Sequence, residues 1–194
     1  MDLITLDFET YYGKDFSLSK LTTEAYIRDP RFEVIGVGVK VNNKETEWAS
    51  GSHEQIKTYL QSFDWSDAML LCHNTMFDGA ILNWHYGISP RVYADTMCIA
   101  RAIHGVETSA SLRAVSEKYN IGAKGTEVLQ ALGKRREDFT ESELGRYGDY
   151  CINDVDLTYK LFIIMAKGFP RQELKLIDLT LRMFIQPVLE LDLG

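Results

Sequence analysis

Residues 2–8, Asp-Leu-Ile-Thr-Leu-Asp-Phe, form a short apolar run broken by acids and closed by polar residues. Such a run predicts a buried strand. Residues 32–41 are β-branched and predict a second strand, Asn42-Asn43 turns the chain, and residues 45–49 return as a third. Ile56, Tyr59, Leu60 and Phe63 recur at helical spacing behind Ser52, so residues 53–63 predict a capped helix. Residues 68–72 read as a short buried strand and 77–86 as a helix; residues 91–94 and 96–103 repeat that pair, with Asp95 as the cap. Ser111 caps 112–119. Thr140 and Glu143 make a capping box for a long helix, which Gly168-Phe-Pro170 stops. Residues 171–186 predict a last helix. Helical signals are weak around 17–21 and 22–28, and 122–133 reads as a loop with one helical turn.

An antiparallel hairpin followed by strand–helix crossovers predicts an α/β fold, with a mixed sheet and helices on both faces. The 194 residues are enough for a real core, and 45% apolar with 25% charged is ordinary for a globular protein. The apolar runs are too short for a membrane span. The chain opens directly on a strand pattern, so a cytoplasmic protein without a secretory signal is expected. Cys72, Cys98 and Cys151 sit in apolar segments without a CxxC pair and are expected to be buried, reduced thiols. A net charge of −7 argues against broad electrostatic binding to nucleic acid. It does not argue against an enzyme whose acids bind metal ions that in turn hold a nucleic-acid end.

Asp7 and Glu9 are two apart on a strand and share a face, with Leu6 and Phe8 on the other. Two such carboxylates repel each other and suit hard divalent cations. Asp78 falls in the first turn of a helix at the carboxyl end of a strand, where open α/β sheets place ligands. Complementing the helix dipole is its simpler role. Tyr150 and Asp154 are four apart on one helical face, which Leu157 and Leu161 continue into the core. Asp154 is therefore expected to be buried and to need a partner. Asp156 points elsewhere and is expected to be solvated. Gly36 and Gly38 open no helix, and the four histidines show no metal spacing.

Asp-x-Glu on the first strand, Asn-x3-Asp after a middle strand and Tyr-x3-Asp on a late helix resemble the three motifs of the DEDD 3′–5′ exonucleases. The tyrosine marks the DEDDy subgroup. His73-Asn74-Thr-Met-Phe-Asp78, Asp95-Thr96-Met97 and Tyr150-Cys-Ile-Asn-Asp154 are similar to the proofreading domains of family A, phage-type DNA polymerases. The resemblance implies a ribonuclease H-like fold, with Asp7, Glu9, Asp78 and Asp154 holding two Mg²⁺ or Mn²⁺ ions. It makes Tyr150 the residue that orients the attacking water, and places Thr10, Asn74 and Phe77 at the substrate, a single-stranded DNA 3′ end. An RNA exonuclease of the ribonuclease D kind uses the same motifs, and an exonuclease fold that grips an end without cutting is a third reading.

Residues 11–29 depart from bacterial DNA polymerase I in length and wording, so their contacts are not carried over. There Leu18, Leu21 and Tyr11-Tyr12 are expected to pack in the core rather than wedge bases apart. Lys134-Arg135-Arg136 reads as a solvated loop, with backbone contacts to the strand as its functional alternative. Leu174, Ile177, Leu181 and Phe184 make one stripe of the last helix, while Leu176, Leu179, Met183 and Ile185 lie off it. A helix with two apolar sides is expected to want cover on both. Residues 1–168 are thus expected to be the exonuclease domain, and 169–194 a junction toward a polymerase domain, with strand-like residues after Pro187.

Overall fold

The computed structural model describes residues 1–123 and 131–188. A five-stranded sheet is built from β1 (Asp2–Thr10), β2 (Val34–Val41), β3 (Glu47–Ala49), β4 (Ala68–Cys72) and β5 (Val92–Asp95), in the order β3-β2-β1-β4-β5. β1 runs antiparallel to β2 and parallel to β4, and β5 is parallel to β4. Seven helices among the described residues complete the fold: α1 (Thr23–Ile27), α2 (His53–Gln61), α3 (Thr75–Tyr86), α4 (Thr96–His104), α5 (Leu112–Tyr119), α6 (Glu141–Met165) and α7 (Arg171–Ile185). The predicted mixed α/β sheet is present, and the predicted caps Ser52, Asp95, Ser111 and Thr140 each accept a backbone N–H at their helix start. The segment 11–29 holds only the short α1. The predicted helical turn in 122–133 and the strand-like residues after Pro187 lie largely outside the described residues.

β1 is the central strand and is covered on both sides. Ile4, Leu6 and Phe8 pack into the main core with Ile56 and Leu60 of α2, Ile81 of α3, and Leu181 and Ile185 of α7. The other face, carrying Thr5, Asp7 and Glu9, lies under α6. Two glycines of β2 allow that helix to come close. A Cβ at Gly38 would stand 2.9 Å from Cys151 Sγ and 3.0 Å from Val155. At Gly36 it would stand 2.3 Å from Trp48, and Gly148 of α6 makes room for the same indole from the other side. Gly38 and Gly36 are the partners of Asp7 and Glu9 in the β1–β2 register, so these close approaches fall at the acids.

Four expectations need correction. Leu18 is exposed rather than packed in the core. Asp156 is not simply solvated: it accepts from Thr46 Oγ1 at 2.6 Å and pairs at 3.1 Å with Lys40, whose side chain is buried. The buried ammonium needs a counter-charge, and Asp156 reaches it across the sheet edge. Cys98 is only partly buried, whereas Cys72 and Cys151 are buried as expected. Lys134, Arg135 and Arg136 are not a loose solvated run either. Lys134 pairs with Glu143, Arg135 with Glu33, and Arg136 Nε donates to Ser50 Oγ.

On α7 Leu181 and Ile185 are buried, and Leu174, Ile177 and Phe184 are partly buried against the core, so the predicted stripe packs inward and Ile185 joins it. Trp84 Nε1 donates to the Ile185 carbonyl at 2.8 Å, and Asp178 accepts from the Tyr93 N–H at 2.8 Å. Leu176, Leu179 and Met183 are 56%, 56% and 72% exposed, so the second apolar side is open. Leu181→Ala is expected to cost about 2–4 kcal/mol of stability, because a buried leucine leaves a cavity. Leu179→Ser should change stability by no more than about 0.5 kcal/mol and reduce self-association. Thermal melts and sedimentation of both variants check this pair. No helix among the described residues is long and apolar enough to cross a membrane.

Candidate active site

β1 carries Asp7, half-buried, and Glu9, 9% exposed, on the face under α6. The N–H of Phe8, between them, donates to Asp78 Oδ1 at 2.9 Å. That bond ties the first turn of α3 to the strand. The turn is reached through Asn74, which has φ 81° in the left-handed region, tolerable for asparagine. Asp95 at the end of β5 fixes it. Its carboxylate accepts from the N–H groups of Asn74 and Thr75 at 3.1 and 3.0 Å, and from Met97 N–H at 2.7 Å as the cap of α4. One acid thus holds both the turn that delivers Asp78 and the next helix. His73 is held between the Thr96 hydroxyl and the Ala110 carbonyl, at 2.8 and 2.9 Å.

α6 supplies the rest. Tyr147, Tyr150, Cys151 and Asp154 follow one helical face onto β1, and all four are buried. Cys151 Sγ donates to the Asp7 carbonyl at 3.4 Å and lies 3.7 Å from its carboxylate. Ligand atoms of Asp7, Glu9 and Cys151 all lie within 4.8 Å of one another. The Tyr150 phenol lies beside Asp154, and the Tyr147 phenol beside Glu9.

The electrostatics follow from burial and crowding. Burial first, and then the Asp7 carboxylate, push the Asp78 carboxyl well above the usual range. Burial and next the Asp154 carboxylate push the Tyr150 phenol up, with Glu9 and Asp7 adding to it. Burial and the same acids hold Cys151 as a thiol. Asp7 and Asp78 therefore disfavour each other's charge, and Glu9 and Asp154 face the same region. A divalent cation relieves such a cluster, and oxygen donors suit a hard ion. The donor set fits a divalent metal.

Asp7, Glu9, Asp78, Tyr150 and Asp154 lie around the end of β1. Among the predicted substrate residues, Asn74 lines a cleft of about 590 Å³ with Met76, Met97, Arg101 and Leu176. Thr10 and Phe77 turn inward instead. The Thr10 hydroxyl is bonded to Tyr26 at 2.9 Å, and Phe77 packs on the Tyr26 ring. The sequence reading missed Cys151, Asp95 and Tyr147. Tyr147 had a usable signal, standing one helical turn before Tyr150 on the same face. The double duty of Asp95 depends on the packing of β5 beside β4 and has no local signal.

A family model described as 3′-5′ exonuclease matches residues 14–169. A search of curated protein sequences gives no match. The fold is similar to that of Trypanosoma brucei RNase D, with TM-score 0.72 and 17% identity over 99% of this chain and 69% of that one. Brucella melitensis NrnC with bound Mg²⁺ has TM-score 0.66 and 13% identity over 94% of this chain and 81% of that one. Escherichia coli RNase D, described as an exoribonuclease involved in structured RNA processing, has TM-score 0.58 and 16% identity over 96% and 46%. These likenesses establish the ribonuclease H-like exonuclease fold.

Proposed function

The chain belongs to the 3′-5′ exonuclease family, and from that premise we propose that it removes nucleotides from the 3′ end of a single strand at the Asp7–Glu9–Asp78–Asp154 cluster, with two Mg²⁺ or Mn²⁺ ions. The observation that carries this is the convergence of β1, the first turn of α3 and the middle of α6 on one group of acids beside a tyrosine. Bound divalent ions would supply a lowered pKa for the attacking water and neutralise charge on the leaving 3′ oxygen. Asp7, Glu9, Asp78 and Asp154 would hold them. Asn74, on the left-handed turn beside the cleft, positions the terminal nucleotide.

Tyr150 orients the water and does not take its proton. Its phenol already has a pKa near 10 in water, and burial beside Asp154 drives it further up. Tyr150→Phe is therefore expected to slow turnover roughly ten- to a hundred-fold, the worth of one hydrogen bond to a charged group. The pH–rate profile should keep its shape. A new break in that profile, or a loss as deep as that from removing an acid, would make the hydroxyl a proton acceptor.

Two observations bear on the sugar. The solved relatives are ribonuclease D proteins and NrnC, which favours RNA. The matching family model is named for the exonuclease of DNA polymerase A, which favours DNA. The exposed side of α7 supports, under the DNA reading, a polymerase domain packed there and a proofreading role. Buried thiols fit a cytoplasmic setting. The test is digestion of 5′-labelled DNA and RNA of one sequence with Mg²⁺. A ladder receding from the 3′ end is expected. A ten-fold or greater preference assigns the sugar, and failure to shorten either strand refutes the exonuclease.

A further inference from the structure

Tyr147 stands outside the four acids and Tyr150, yet it is held by rings on several sides. It is buried, with Glu9 beside its phenol, and its neighbour Trp48 sits at Gly36, the register partner of Glu9. Phe139 stacks on its ring at 5.5 Å with the planes 8° apart. Tyr150 lies at 6.3 Å and 16°. Trp48 meets the ring edge-on at 6.4 Å, with its indole seated between Gly36 and Gly148. Rings at these separations attract one another, and packing on this many sides leaves the phenol a single orientation.

We propose that Tyr147 is a positioning residue that fixes the Glu9 carboxylate for metal binding. The inference rests on the exonuclease reading of the acid cluster. A glutamate has three side-chain torsions, and free ones must be frozen when an ion binds. The β1 backbone fixes only where Glu9 starts. A rigid phenol beside its carboxylate, donating to it, fixes where it ends. This is the way outer partners orient metal ligands, and losing one typically weakens the metal ten- to a hundred-fold. The ring does a second job, because Tyr150 stacks on it as well as Phe139. Tyr147→Phe keeps that stack and removes only the hydroxyl.

The experiment measures Mn²⁺ affinity by electron paramagnetic resonance titration, alongside 3′-end degradation over a Mg²⁺ series, in the parent and in Tyr147→Phe. Mn²⁺ binding is expected to weaken roughly ten- to a hundred-fold. The Mg²⁺ concentration for half-maximal rate should rise by a similar factor, and the rate at saturating metal should stay within about three-fold. Tyr147→Ala, which also loses the stack, should lower the saturated rate as well. Equal Mn²⁺ affinity in parent and Tyr147→Phe would overturn the inference and leave Tyr147 as packing. If the parent degrades no strand yet its Mn²⁺ affinity falls in Tyr147→Phe, the positioning role stands and the exonuclease reading falls.

Discussion

Asp7→Ala is expected to lower 3′-end degradation at least about a thousand-fold, roughly 4 kcal/mol of transition-state stabilisation, because an ion that binds weakly or off-centre stabilises little charge. Asp78→Asn should lose as much activity, and it should also make the metal-free protein more stable. The amide keeps an oxygen for the Phe8 N–H, which Asp78 Oδ1 accepts at 2.9 Å. It removes a charge that burial and Asp7 both disfavour. The sign follows from linkage. The folded pKa of Asp78 lies above its unfolded value near 4, so between the two the folded state holds the extra proton. The stability it contributes is full below about pH 4 and is lost as pH rises through the raised folded pKa. Metal-free parent should therefore soften across that window, and Asp78→Asn should not. At neutral pH the variant should gain about 1 kcal/mol, or roughly 2–4 °C in Tm. Melting curves in chelator across the pH range check this; a lower Tm with the parent's pH slope intact would sink the argument.

Gly38→Ala should cost roughly a hundred-fold in turnover although Gly38 carries no functional group. The new Cβ would meet Cys151 Sγ at 2.9 Å and Val155 at 3.0 Å. Something must shift, and both neighbours belong to α6, which also carries Tyr150 and Asp154. A displacement of about 1 Å between groups that act on one atom can cost a hundred-fold. Stability should fall by only about 1–3 kcal/mol, as for other overpacked sites. Cys151→Ala should restore much of the loss in the double variant, since shortening that side chain gives the methyl group somewhere to go. Strictly additive effects in the double-mutant cycle would show that the contact is not what places the helix.

The parts of the site that were legible in the sequence are those set by local periodicity. Asp7 and Glu9 share a face because strands repeat every two residues, and Tyr150 and Asp154 because helices bring every fourth residue round. The caps at Ser52, Asp95, Ser111 and Thr140 were legible for the same reason, since each bonds within three residues of itself. What was not legible joins distant positions. The Lys40–Asp156 and Glu33–Arg135 pairs exist because β2 lies beside α6 and the 131–139 loop folds back on the chain entering β2. Thr10 looked free to meet a substrate, but α1 brings Tyr26 to its hydroxyl. Gly36 and Gly38 opened no helix and had no assigned role, and only the approach of Trp48 and α6 gives them one.

The thiol of Cys151 and the carbonyl of Asp7 meet across 144 positions of chain. During synthesis, at roughly 5–20 residues per second, the chain carries Asp7, Glu9 and Asp78 for several seconds before Asp154 exists. Through that interval it has three of the four acids of the proposed metal site and lacks Tyr150 and Asp154. β1, β2 and β4 can pair early, but the wall that α6 lays over Asp7 and Glu9 closes a loop spanning nearly the whole domain, which is the slow kind of contact to form. Under the proposed function, cutting begins only once α6 has docked over β1, and chains broken off upstream of α6, which lack Tyr150 and Asp154, are expected to be inert.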